Sequence, residues 1–374
     1  MRQIAKLIAL IGGIAAAVLV GIFFVYPFVC DLSAGVDPWA RYQPKVEAEY
    51  DLAKDGDEQA KQVIEDTSSQ EIKCSYSIKN DPYMDNGRII FTTDTSTTDD
   101  LLGTVVLYDT QTETTTELPG VQKKYDNLLM TQLSGNYAVW VDSLKDGGGR
   151  IVGYDLETNE QFTIKEFGYA IPEIRICGTY VVFMQIAGTD TQRLYLYDLK
   201  TRENTTVKLY SGVDVVCGNA DISATDMVWS EYGANGRAVL NRYDFASGRL
   251  TTEPYRIDDW VFEPRTNGEA ILYTTTQQPL DGDLMLCRKG ETPVKIASGV
   301  LDYDLSEDFV VYSVDQTLYV VSIDKLLKPE QLSSTATRAT FASMNGNELC
   351  FYDVTDGLGR IEIVRYMTLD GKEE

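Results

Sequence analysis

A phrase that returns about every 44 residues constrains this chain more than any other feature. It opens with an apolar strand carrying one aromatic residue, as in "GRIIFTTD", "GNYAVWVDS", "GTYVVFMQ" and "ATDMVWSEY". It returns as "GEAILYTTT", "EDFVVYSVD" and "GNELCFYDV", so Phe91, Trp140, Phe183, Trp229, Tyr273, Tyr312 and Phe351 form one column. A loose polar loop follows, then a second strand, "GTVVLYDT", "RIVGYDLE", "RLYLYDLK" or "VLNRYDFA" in the first four copies. The Tyr-Asp pair near its end marks a turn, because an Asp carboxylate caps nearby amides. A tight polar hairpin and an outer strand rich in Thr and Val complete the copy. With an inner strand in front, such as "LLMTQLS" or "EIRICG", each copy holds four strands, A to D.

One such sheet cannot bury its faces alone, but copies stacked radially bury both faces of every sheet. A β-sandwich gives no reason for a period kept from Phe91 to Phe351. The expected fold is all-β, a seven-bladed β-propeller of four-stranded blades. The ends of the array predict how it closes. The last copy has A ("ATFASM"), B ("NELCFYDV") and C ("RIEIVRYMTL"), then stops at "DGKEE" without a strand D. An extra strand-like run, "EIKCSYSI" (Glu71–Ile78), precedes the first copy. It is expected to be the outer strand of the last blade, so that the propeller covers residues 71–374.

The glycine-aromatic strand and the run "LYLYDLKT" resemble the TolB-like propellers, also seen as the N-terminal propeller of prolyl-oligopeptidase-type proteins. The resemblance spans the array from Glu71 onward and implies a fold, with little functional specificity. The chain departs from that family in its turns, where Ser-Pro-Asp-Gly is replaced by "LSGN", "LSED" and "MNGN". No Gly-His or Trp-Asp pair recurs, so the WD-repeat signature is weaker still.

The N-terminus is a different material. Leu7 to Val29 carries no charge. As a helix it would span about 35 Å, enough to cross a hydrocarbon core of about 30 Å. Arg2 and Lys6 precede it, and Asp31 and Asp37 follow. The positive-inside rule then puts the N-terminus in the cytoplasm and the remainder outside. The expectation is a single-pass protein, with residues 1–30 as cytoplasmic stub and transmembrane anchor in the lipid bilayer. A cleaved signal peptide fits less well, because the apolar run is long and "DLSAG" is a poor cleavage site. A lipid anchor on Cys30 also fits badly, since "PFV" precedes it. Residues 31–70 read as an acidic, partly helical stalk. Pro44 suits a first helical turn, and Val46, Tyr50 and Ala53 follow at helical spacing.

Composition limits the chemistry. There are 57 acids against 33 bases, a formal net charge of -24, so nucleic acid is not an expected partner. There is no histidine. That removes the usual base of acyl-transfer triads and every imidazole-ligated zinc site. GxSxG, sialidase Asp boxes and phosphate-binding glycine loops are all absent. The six cysteines have no CxxC spacing and read as buried small hydrophobes. Cys177 and Cys217 are the one pair expected to approach disulfide distance. The acidic loops "DTSTTDD" and "DGD" lack the spacing of a calcium loop and read as solvated. No catalytic residue, cofactor or metal is assigned.

Function is then sought in the loops. The C–D hairpins are uniformly tight, whereas the B–C loops vary, and in a propeller these open on the same face as the D–A links. Those links carry Tyr125, Tyr169 and Trp260, and Tyr232 sits in the B–C stretch "SEYGANG". These four are the candidate partner-binding residues, with Trp260 first. The expected function is a membrane-anchored, extracytoplasmic, non-enzymatic module that binds a protein or an envelope polymer. The alternative is a carbohydrate-active enzyme using paired carboxylates, which needs no histidine.

Overall fold

The computed structural model describes residues 69–94, 102–186, 191–211, 215–233, 238–252, 261–276, 282–288, 291–324, 329–333, 338–354 and 363–369. The anchor of residues 1–30, nearly all of the stalk, and Trp260 lie outside them. No helix of the described residues is long and apolar enough to cross a membrane.

The described residues form seven four-stranded antiparallel sheets. A two-residue strand, β1 (Gln70–Glu71), comes first in the chain. Blade 1 holds β2 to β5 (Asn80–Asp85, Arg88–Asp94, Leu102–Asp109, Thr114–Glu117). Blade 2 holds β6 to β9 (Asn127–Ser134, Tyr137–Ser143, Gly149–Asp155, Glu160–Phe167). Blade 3 holds β10 to β13 (Ile174–Cys177, Tyr180–Ile186, Thr191–Asp198, Glu203–Ser211). Blade 4 holds β14 to β17 (Val215–Ile222, Asp226–Gly233, Ala238–Asp244, Arg249–Thr252). Blade 5 holds β18 to β21 (Phe262–Thr266, Ala270–Thr274, Asp283–Arg288, Val294–Ser298). Blade 6 holds β22 to β25 (Val300–Leu305, Phe309–Val314, Thr317–Ser322, Glu330–Gln331). Blade 7 takes β26 to β28 (Ala339–Asn345, Glu348–Asp353, Val364–Thr368) and completes itself with β1.

Burial follows position in the blade. Strand B touches neighbouring blades on both faces, so β7, "YAVWVDS", is buried along almost all its length. Strand D is at the rim, and "TTTE" of β5 is largely exposed. The column aromatics are all buried, none more than 2% exposed. Each packs against the preceding blade: Trp140 joins Ile90 and Val105, Phe183 joins Val139 and Ile151, and Trp229 joins Val182 and Leu194. Seven apolar clusters result, one at each interface between blades. The core is therefore a ring of interfaces around a central channel. That is why the column has one bulky residue per copy and no copy lacks one.

The Tyr-Asp turns behave as their sequence predicts. Carboxylates of Asp109, Asp155, Asp198 and Asp244 accept amides of Thr112 (2.8 Å), Glu157 (2.9 Å), Lys200 (2.8 Å) and Ser247 (2.7 Å). Four residues beyond each Asp, Glu113, Asn159, Arg202 and Gly248 take left-handed backbone, with φ between 53° and 62°. This turn geometry needs φ > 0 at one position, and the carboxylate fixes the amides that lead into it.

Closure joins the chain ends, over a shorter strand than expected. Gln70 pairs with Tyr366 and Glu71 with Arg365, and the Ile72 amide donates to the Val364 carbonyl (2.9 Å). The expected strand Glu71–Ile78 ends there. From Ile72 the chain leaves the β28 edge and wedges between blades 7 and 1, with Ile72 buried and Cys74 and Tyr76 packed against the same cluster. Tyr76 then donates to Glu117 (2.5 Å) on the outer strand of blade 1. The run clasps by pairing with one blade and packing on the next. Cys177 is a free thiol, so the pairing considered with Cys217 is not formed.

Candidate functional site

The inner strands carry one equivalent residue each, fixed by register. Tyr83, Gln132, Arg175 and Asp221 in blades 1 to 4 face Ile90, Val139, Val182 and Val228. Arg265, Asp304 and Ser343 in blades 5 to 7 face Leu272, Val311 and Cys350. Every one of those partners is the residue just before the column aromatic. The seven therefore form a ring, each eight positions ahead of its own aromatic. Five residue types share the seven places, so the ring does not show in bulk composition.

Four members bind the next blade. The Ile176 amide donates to Gln132 Oε1 (3.0 Å) and the Thr266 amide to Asp221 Oδ2 (2.7 Å). The Met344 amide donates to Asp304 Oδ2 (2.8 Å), and the Met84 amide to Ser343 Oγ (3.2 Å). In each case the donor sits one residue after the ring member of the next blade. A buried amide without a partner is costly, so these bonds fix the rotation of one blade against the next.

The remaining charge sits on Arg175 and Arg265. Glu173 pairs with Arg175 at 2.8 Å and with Arg265 at 3.4 Å, and Asp221 lies 3.7 Å from Arg175. Burial alone would raise the Glu173 carboxyl, but the two guanidiniums hold it below its ordinary value. Asp221 goes the other way. Its burial outweighs Arg265 and Arg175 and pushes it up to about 6. Asp304 is raised by burial against the same two arginines.

Two positions before the ring lies a second layer, built on backbone irregularity. The A–B register slips in six inner strands, between Asn80 and Tyr83, Leu129 and Gln132, Cys217 and Ala220, Phe262 and Arg265, Val300 and Asp302, and Thr340 and Ser343. Four of these bulges put a non-glycine residue in left-handed backbone: Asp81 (φ 49°), Met130 (54°), Glu263 (46°) and Phe341 (53°). Side-chain residues seldom adopt that conformation, and a bulge re-aims what it carries. All four line a single cavity of about 680 Å³ at the channel. The geometry around Asp81 is held by several bonds. The Met130 amide donates to its carboxylate (2.6 Å) and Thr131 Oγ1 to its carbonyl (2.6 Å). Its own amide donates to the Tyr352 hydroxyl (2.7 Å), which donates to the Lys79 carbonyl (2.9 Å).

The cavity walls are mixed. Five carboxylates line it, Asp81, Glu173, Glu263, Asp302 and Asp304, against two cations, Arg175 and Arg265. Tyr83, Tyr303, Phe341 and Tyr352 add aromatic surface. Phe341 is 56% exposed and meets Tyr352 edge to face at 6.2 Å. Asp302 is occupied by Ser313 Oγ and Thr340 Oγ1, each donating at 2.5 Å. Because the bulge layer precedes the ring along each inner strand, it lies nearer the end where the D–A links enter. The cavity thus opens toward the face of the B–C loops. Among the described residues, no group of three or more Cys, Asp or Glu is placed to hold a metal ion.

Of the residues expected from sequence, Tyr125 and Tyr169 do not line this cavity. Tyr169 is 64% exposed, with its carbonyl accepting the Gly148 amide (2.8 Å). Tyr125 is half-buried under Lys124, whose Nζ stands 5.0 Å from the ring centre. Tyr232 belongs to strand β15, paired between Val216 and Ala238, rather than to a loop. The strand extends because both partners continue to offer ladder bonds there. Trp260 is outside the described residues. Sequence reading missed the ring and the bulge layer, although a polar residue eight positions before each aromatic was there to be counted.

A closed ring of seven four-stranded blades with a lined channel mouth defines the class, a β-propeller. The chain is similar to the β-propeller domain of the Trilobed protease from Pyrococcus furiosus, at 11% identity and TM-score 0.57, over 81% of this chain and 96% of that one. It is similar to oligogalacturonate lyase from Vibrio parahaemolyticus, at 13% identity and TM-score 0.57, over 83% and 96%. TolB from Acinetobacter baumannii is also similar, at 16% identity and TM-score 0.44, over 76% and 64%. At these identities the likeness is one of fold. No protein-family model and no curated protein sequence matches the chain.

Proposed function

We propose that this protein is a non-enzymatic binding module, held outside the cytoplasm by its N-terminal apolar segment, which receives part of a protein or envelope polymer at the channel mouth. The cavity with its four left-handed bulge residues carries this reading. Strained non-glycine backbone is retained where the surrounding structure has a use for it, and here all four instances face one space. Phe341 offers apolar surface within the mouth, and Tyr169 offers more on the same rim. Buried aromatics in such positions dominate binding when a partner covers them.

A carboxylate-pair enzyme is the second reading, favoured by the raised Asp81 and Asp304 in the cavity wall. Both carboxylates already accept main-chain amides from the next blade, which favours a structural role. The test is cross-linked capture of a discrete partner by the full chain, compared with Phe341→Ala and Tyr169→Ala. Capture should fall for both, while the Glu157→Gln variant on the opposite face captures normally. Undiminished capture by both variants refutes the reading. So does turnover of an envelope polysaccharide that Asp304→Asn abolishes.

A further inference from the structure

We infer that the channel mouth is a site for an organic cation, an ammonium or guanidinium group on an apolar stem. The inference rests on the binding-module reading and names the chemistry of what enters. Two independent features carry it. The first is charge. Glu173 and Asp221 answer the two arginines. Asp81, Glu263, Asp302 and Asp304 remain, with no ion pair to any of them among the described residues. Glu263 is exposed in the mouth, and its carboxylate takes no hydrogen bond among the described residues. Carboxylates gathered at a low-dielectric mouth focus a negative field that draws in a cation.

The second feature is the wall. A bare metal ion would be served by several close oxygens, and the described residues offer no such group. The mouth instead sets aromatic rings among the carboxylates, with Phe341 and Tyr352 on blade 7 and Tyr303 on blade 6. Arg265 already lies over the Tyr303 ring, 5.8 Å from its centre. That contact shows the wall accommodating a guanidinium from within the chain. Ring faces and an exposed carboxylate without a hydrogen bond together suit a cation with an apolar stem, whose charge meets Glu263 and whose stem meets Phe341. An anion would meet the exposed Glu263 carboxylate and two arginines that are already paired.

The ligand chemistry has two sources, a free polycation or a basic side chain displayed by a partner, and two probes distinguish them. Isothermal titration of the full chain with spermidine represents the first, and with N-acetyl-arginine methylamide the second. Trigalacturonate is the anionic comparison. At least one cationic probe should bind and the uronate should not. Glu263→Gln and Phe341→Ala should each weaken that probe at least about tenfold, with the melting temperature unchanged. Glu157→Gln removes an equal charge from an exposed hairpin and should leave binding as it was. Failure of both cations, equal loss in Glu157→Gln, or binding of the uronate overturns the assignment. Partner capture that survives Glu263→Gln but fails with Phe341→Ala overturns it too, while leaving the binding-module reading in place.

Discussion

Asp221 shows how much one buried side chain is asked to do. Its carboxylate caps the Thr266 amide of the next blade and stands beside Arg175, yet burial raises its pKa from 3.8 to about 6. An acid whose folded pKa lies above its unfolded value holds its proton more tightly when folded. Its contribution to stability is therefore complete below the unfolded pKa and is lost as pH rises through about 6. Asp221→Asn removes that linkage and keeps an oxygen for the amide. The stability of the natural protein relative to this variant should improve by up to about 3 kcal/mol as pH falls across that window. Denaturant titrations at several pH values measure it, and a difference that stays flat with pH refutes it. Trp140 is the apolar counterpart, 1% exposed between blades 1 and 2. Trp140→Ala should cost about 3–5 kcal/mol, read as a lower urea midpoint.

Among the elements, β1 shows that a short strand can hold a large ring. Only Gln70 and Glu71 pair with β28, but Ile72 seals the interface between blades 7 and 1, and Tyr366 donates to Gln70 Oε1 (2.6 Å). A fragment beginning at Ser69 should melt well above one beginning at Lys79, because the shorter fragment exposes the β28 edge and an apolar cluster. Equal melting temperatures would show that the run contributes nothing to closure. Within that run, Ile72→Ala should account for about 2–4 kcal/mol of the loss.

For the whole molecule, the blades are held by apolar interfaces outside and by ring bonds inside. The full chain should sediment with membranes and resist alkaline extraction, with the propeller open to protease from the extracytoplasmic side. Recovery of intact full-length chain in the soluble cytosolic fraction would refute this topology. The blade count, the four strands and the closing segment were all legible in the sequence, because every copy repeats its aromatic at the same place and four copies repeat the Tyr-Asp turn. The closing strand was drawn too long, since apolar residues that pack between blades read the same as residues that pair.

The sequence by itself determined the period, and through it the fold. A strand and its hairpin turn are set by neighbours a few positions away, and the buried aromatic recurs because every copy meets the preceding blade in the same way. Tertiary structure alone decided the site. Groups that bond to one another at the ring, such as Asp304 and the Met344 amide or Ser343 and the Met84 amide, belong to different copies or to opposite ends of the chain. Whether a carboxylate there is answered by an arginine, by an amide or by nothing depends on which blade stands beside it. That is settled only when the ring closes and brings Asp81, Glu263 and Phe341 around one space.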